Sequence, residues 1–172
     1  MTKRVACIGT REPATEMKQH LISIGGWLAW QGWTVATGTA LGCDQLFAQG
    51  ANKTNPSKVV LYLPWRTYET GAIHRLNELH LADEAGPELI QLAEQAHPAW
   101  KQLSQGVRKL MIRNVQIVHG SKFVVALPSK KLGGGGTGHG IRVAGLLGIP
   151  VYDLNDPAVL KKILDKIAST KS

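Results

Sequence analysis

Short apolar runs alternate with longer amphipathic stretches along this chain. Residues 4–8 (RVACI), 34–36, 58–63 (KVVLYL), 122–127 (KFVVAL) and 149–153 are runs of strand length. Between them, Met17, Leu21, Ile24 and Leu28 recur at helical spacing over 15–31. Residues 44–52 predict a second helix. Over 104–119, Val107, Leu110, Met111, Asn114, Ile117 and Val118 fall on or near one face. A further helix is predicted over 137–147. Asp156-Pro157 reads as an N-cap followed by a first-turn proline, opening a last helix with Leu160, Ile163, Leu164 and Ile167 inward.

Strand and helix in alternation predict an α/β, Rossmann-like domain: a mostly parallel sheet of about five strands with helices on both faces. The irregular part is 64–103. It predicts two helices, 69–81 and 86–96, with no strand between, and is read as an insertion into a single domain spanning 1–172, placed to act as a lid. Trp27, Trp30 and Trp33 are expected to be packing residues.

Ligands of open α/β sheets bind beyond the carboxyl ends of the strands, and the unusual residues cluster there. Gly9-Thr10-Arg11 follows the first strand. Thr37-Gly38-Thr39-Ala40-Leu41-Gly42-Cys43-Asp44 follows the second. Pro64-Trp65-Arg66 follows the third, and a glycine-rich stretch with Gly134, Gly135, Gly136 and Thr137 follows the fourth. Glycine lets backbone amides approach an anion unobstructed, and the helix that follows adds unpaired N–H groups and a positive dipole end. The threonines add hydroxyl donors, and Trp65 with Arg66 forms a candidate stacking platform for a base.

Net charge changes the picture from a generic pocket to one for phosphate. The 172 residues carry +8 at neutral pH, a balance that favours polyanions through counterion release. No lysine and hydroxyl residue follow the glycines, so a nucleotide-hydrolysing P-loop is excluded. Two cysteines make neither a disulfide framework nor a metal site, and Cys7 is expected to be a buried hydrophobe. The histidines lack metal-ligand spacing, and no nucleophile–base set stands out, so no catalytic residue, metal or cofactor is assigned. His139 lies among glycines, either near a ligand or incidental. No apolar run reaches the ~20 residues of a membrane span. The start, MTKRVACIG, enters a strand directly, which makes a cytoplasmic location the expectation.

Four polar residues need an account of their own. Asn114 lies in an apolar helical face, where an unpaired amide costs about 1–3 kcal/mol, so it needs a neighbouring backbone or a ligand. Arg113 shares a helix side with Lys109 and Gln116, either a solvated basic face or a phosphate contact. Arg11 reaches either an anion over the sheet edge or a surface ion-pair partner. Asp44 reads as a helix-start carboxylate satisfying amides.

In order and spacing these segments resemble the Rossmann core of the DNA-processing protein A (DprA/Smf) family, within the wider DprA/LOG-like (SLOG) superfamily. The family's Gly-Ser-Arg turn corresponds to Gly9-Thr10-Arg11. Its S-G-x-A-x-G-I-D loop corresponds to the stretch from Thr37 to Asp44, with threonine for serine and Cys43 for isoleucine. Its R-N-R-I-I-x-G helix corresponds to Arg113-Asn114-Val115, with valine for the second arginine. The resemblance implies a site lined by Arg11, Gly38, Gly42, Asp44, Arg113 and Asn114. It also implies single-stranded DNA or a phosphorylated nucleotide as ligand, a homodimer or higher homo-oligomer, a RecA-like recombinase as partner, and a role in DNA processing or recombination. The LOG branch, which cleaves the N-glycosidic bond of nucleoside monophosphates, is the alternative, as enzyme or as a small-nucleotide sensor. Its P-G-G-x-G-T-x-x-E motif fits Gly133 to Thr137, but its glutamate position falls on Gly140.

Overall fold

The computed structural model describes residues 3–130 and 135–170. Six strands form one sheet: β1 (Arg4–Gly9), β2 (Thr34–Thr37), β3 (Val59–Leu63), β4 (Glu78–Leu81), β5 (Phe123–Leu127) and β6 (Val151–Asp153), in the order β4-β3-β2-β1-β5-β6. Every neighbouring pair is parallel. The α-helices are α1 (Thr15–Trp30), α2 (Cys43–Thr54), α3 (Pro87–Gln95), α4 (Gln105–Val118), α5 (Gly135–Leu147) and α6 (Pro157–Thr170).

Strand periodicity explains the layering. Successive side chains point to opposite faces, so Val5, Cys7, Val35, Val59, Leu61, Leu63, Val125 and Leu127 line one face. That face packs against Leu21, Ile24 and Leu28 of α1, Phe47 of α2 and Ile167 of α6. The intervening Ala6, Ile8, Ala36, Val60, Tyr62, Val124 and Ala126 line the other, under α3, α4 and α5. Both faces are covered, which is why the strands read as continuous apolar runs rather than alternating ones.

Two expectations are corrected. Residues 64–77 are turns, and the helix expected over 69–81 is absent. Its last four residues form β4, paired Leu61 to Leu79 and Leu63 to Leu81. Ile73, Leu76 and Leu79 are spaced like a helical stripe, but β3 needs a neighbour for its backbone N–H and C=O groups. That non-local demand outweighs the local pattern. The second expected helix is present as α3. Trp30 is 62% exposed rather than packed. It lies two residues beyond Leu28 and so on the opposite side of α1 from the inward stripe. Trp27 and Trp33 do pack on the core.

Helices α1 and α2 approach each other through glycine. A Cβ at Gly25 would lie 2.1 Å from the Phe47 carbonyl oxygen, and one at Gly50 would lie 1.8 Å from that of Ile22. Alanine is the better helix former by about 1 kcal/mol, yet Gly50→Ala has no space without separating the helices. It is expected to destabilise the protein by about 2–4 kcal/mol, read from urea unfolding midpoints. A more stable variant would rule out this close approach.

Candidate functional site

Two helices from opposite faces of the sheet meet at its carboxyl edge. Asp44 stands in the first turn of α2 and Arg113 in α4, and both side chains are buried. They converge on Gly38, just beyond β2. A Cβ on Gly38 would lie 2.4 Å from Asp44 Oδ2 and 2.7 Å from Arg113 Nη1. Only glycine fits between the two charged groups.

Asp44 does not cap its own helix, whose N-cap is Gly42 with no side-chain cap. Burial pushes its carboxyl up to about 6, against the opposing pull of the Arg113 guanidinium and the Ala40 amide. Arg113 is 7% exposed, and its Nε and Nη1 have no hydrogen-bond partner. Its guanidinium carbon lies 5.6 Å from the centre of the Tyr68 ring. An aromatic face satisfies part of its charge but none of its N–H donors. The solvated basic face is excluded for this side of α4. Gln116 is buried too and donates to Leu81 O at 3.0 Å, while half-buried Lys109 pairs with Asp83 at 3.2 Å.

The loop after β3 covers this pair. Tyr68 and Glu69 belong to this cluster and were missed by sequence reasoning, because Glu69 read as the start of a helix and Tyr68 as the turn before it. Their one available signal was their place just past a strand's carboxyl end. Arg11 Nη1 donates to the Tyr68 hydroxyl at 2.7 Å, and Arg11 Nη2 is paired with Glu69 Oε1. Glu69 Oε2 accepts the Leu41 amide at 2.7 Å, and the Thr39 hydroxyl donates to Tyr68 O at 3.2 Å. Arg11 therefore takes the ion-pair alternative in this conformation. Trp65 is 38% exposed and meets Tyr68 edge to face at 5.3 Å, and Arg66 beside it is exposed.

Other expected site residues are scaffold. Thr37 donates to Cys7 O at 2.6 Å, tying β2 to β1. Thr10 accepts the Glu12 amide, and its carbonyl accepts the Cys43 amide at 3.1 Å. Gly9 leaves room for the Cys43 side chain, and Gly42, at φ +90°, lets the loop pass the Arg11 backbone. Asn114 has its partner in the neighbouring backbone, donating to Gly136 O at 3.1 Å, and so fixes the first turn of α5. Gly135 and Gly136 are exposed at that turn and Thr137 is buried in it. Gly134 lies outside the described residues. His139 is fully buried, bonded to Ala93 O at 3.0 Å, and held neutral by burial at about 4. It ties α5 to α3. No group of three or more His, Cys, Asp or Glu among the described residues is placed to hold a metal. No described helix is long and apolar enough to cross a membrane.

No protein-family model and no curated protein matches this sequence. Solved structures do. DNA processing protein A from Helicobacter pylori, described for its unique single-stranded DNA binding mode, matches at TM-score 0.64. The match covers 97% of this chain and 79% of that one. The fold is DprA-like. TM1055, a structural-genomics target, matches at TM-score 0.56 over 87% of this chain and 72% of its own. Identities are 20% and 19%, so these likenesses establish the fold alone and leave the site to its own geometry.

The state of Asp44 makes a measurable claim about this site. A carboxyl raised to about 6 in the native protein, against about 3.9 unfolded, binds more protons folded than unfolded across that interval. Its contribution is therefore most favourable near pH 4 and is lost as pH rises through about 6. The unfolding free energy of the wild type minus that of Asp44→Asn should fall by about 2–3 kcal/mol between pH 4 and pH 7. Denaturant titrations at four pH values measure it. A constant difference would show that the carboxyl is not held in a low-dielectric site.

Proposed function

We propose that this chain binds single-stranded DNA along the carboxyl edge of its sheet, with Arg113 anchoring a phosphate. The observation that carries the reading is the buried guanidinium whose Nε and Nη1 lack partners. Such a group is costly to bury, and an anion that accepts its free donors offsets that cost. Arg113 supplies charge and planar donors suited to phosphate. Trp65 and Tyr68, at the rim, supply ring faces for bases. The net charge of +8 supplies the long-range attraction, and the fold likeness to a single-stranded-DNA-binding protein points the same way.

Hydrolysis of an N-glycosidic bond by a carboxylate on α5 has weaker support. Gly140 is buried, and a Cβ there would already lie 2.9 Å from Ile8 Cδ1. A glutamate at that position would have to displace the core. On the DNA reading, residues 1–172 act as one domain with a 64–103 insertion. The chain works as a cytoplasmic homo-oligomer in DNA processing or recombination, alongside a RecA-like recombinase.

Binding of a labelled oligothymidylate, followed by anisotropy, tests the reading. Affinity should fall steeply with salt. Arg113→Met should weaken it about 10–100-fold, as loss of a charge-assisted contact does, and make the salt slope shallower by about 0.7. Methionine leaves the Asp44 carboxyl without the neighbouring guanidinium, so some thermal stability should be lost at pH 7 and less at pH 5, and affinities are compared at a temperature where both proteins are folded. Unchanged affinity in this variant, or release of free base from nucleoside monophosphates, would overturn the proposal.

A further inference from the structure

The carboxyl edge already contains an anion, and it belongs to the protein. Glu69 Oε1 engages the Arg11 guanidinium while Oε2 accepts the Leu41 amide. One side chain thus bridges a cation on the β1 loop and an N–H of the β2 loop, the two segments whose sequences most suggest a phosphate cradle. Glu69 holds φ at +34°, a backbone conformation that L residues rarely adopt. Four contacts keep it there. Besides its own two, the preceding residue is held by Arg11 at the Tyr68 hydroxyl and by Thr39 at the Tyr68 carbonyl.

We propose that Glu69 is a resident anion: in the free protein it fills the seat formed by Arg11 and the Leu41 amide, and a strand must displace it to place a phosphate there. This inference rests on the DNA-binding reading of the same edge. The resident group indicates what the seat accepts. A carboxylate offers two oxygens and a single negative charge, one oxygen to each donor. A phosphodiester offers the same through its two non-bridging oxygens, whereas a terminal phosphate carries more charge and a third oxygen. The seat therefore suits an internal linkage of a nucleic-acid strand better than a mononucleotide. Entry of the strand exchanges one anion for another, so charge at Arg11 stays compensated throughout. Because Tyr68 moves with Glu69, the exchange also withdraws the aromatic ring from over Arg113. The two phosphate positions open together, and the 65–69 loop acts as their shared gate.

Glu69→Gln keeps the shape of the side chain and removes its charge. With the full chain and a labelled oligothymidylate, this variant should bind about 10-fold more tightly than the wild type. The gain should be clearly smaller for thymidine 5′-monophosphate. Hydrogen exchange at the Tyr68 amide, which donates to Trp65 O at 3.2 Å, should be slow in the free wild type. It should become fast when the wild type is saturated with DNA, and be fast in free Glu69→Gln. Equal or weaker DNA binding by Glu69→Gln, with Arg113→Met still weakened, would overturn the resident anion and leave the DNA-binding reading standing. So would added protection of the Tyr68 amide on DNA binding, which would make the loop a clamp. Absence of DNA binding in the wild type and in Glu69→Gln alike would overturn both.

Discussion

A side-chain carbon at position 38 would sit 2.4 Å from the Asp44 carboxylate and 2.7 Å from the Arg113 guanidinium, and the carboxyl edge of the sheet is organised around its absence. The acid arrives from α2 on one face of the sheet and the base from α4 on the other. Backbone alone separates them. The polar centre of the molecule is thereby placed where the two hydrophobic layers end, at the carboxyl edge where open parallel sheets bind their ligands.

Proximity without full hydrogen bonding keeps both groups unsettled. Burial raises the Asp44 carboxyl to about 6, and Arg113 retains two donors without partners. A structural ion pair would have saturated those donors, since a buried unpaired donor costs about 1–3 kcal/mol. Scaffold polar groups nearby behave differently. Thr37 and Asn114 each find a backbone carbonyl, and Gln116 donates to one while its Oε1 stays without a partner. Of these four, Arg113 alone combines unpartnered donors with a full charge.

The 64–77 turns link this centre to the rim. They carry Tyr68 over Arg113 and Glu69 onto Arg11, and then deliver the chain to β4, the strand that protects the edge of β3. One segment thus extends the sheet and covers the site. This coupling explains why the covering residues are held by side-chain contacts to two other loops, Arg11 on one and Thr39 and Leu41 on the other, rather than by secondary structure of their own.

The sequence by itself determined the layered α/β plan, because burial on both faces writes itself as continuous apolar runs and helix faces as a 3.6-residue stripe. Glycine-rich turns at strand ends also marked close backbone approach and placed Arg11, Gly38 and Asp44 at the carboxyl edge, whereas Arg113 stood in the sequence as a helix position open between a solvated face and a phosphate contact. What local pattern could not carry was anything set by partners distant in sequence. Only the tertiary structure decided that 78–81 is a strand, because the demand comes from the unpaired edge of β3. It alone decided between the two alternatives open for Arg11, giving it an ion pair with Glu69, 58 residues away. It also excluded the solvated face for Arg113 and made it a buried charge, because whether a side chain meets water depends on what other segments place over it.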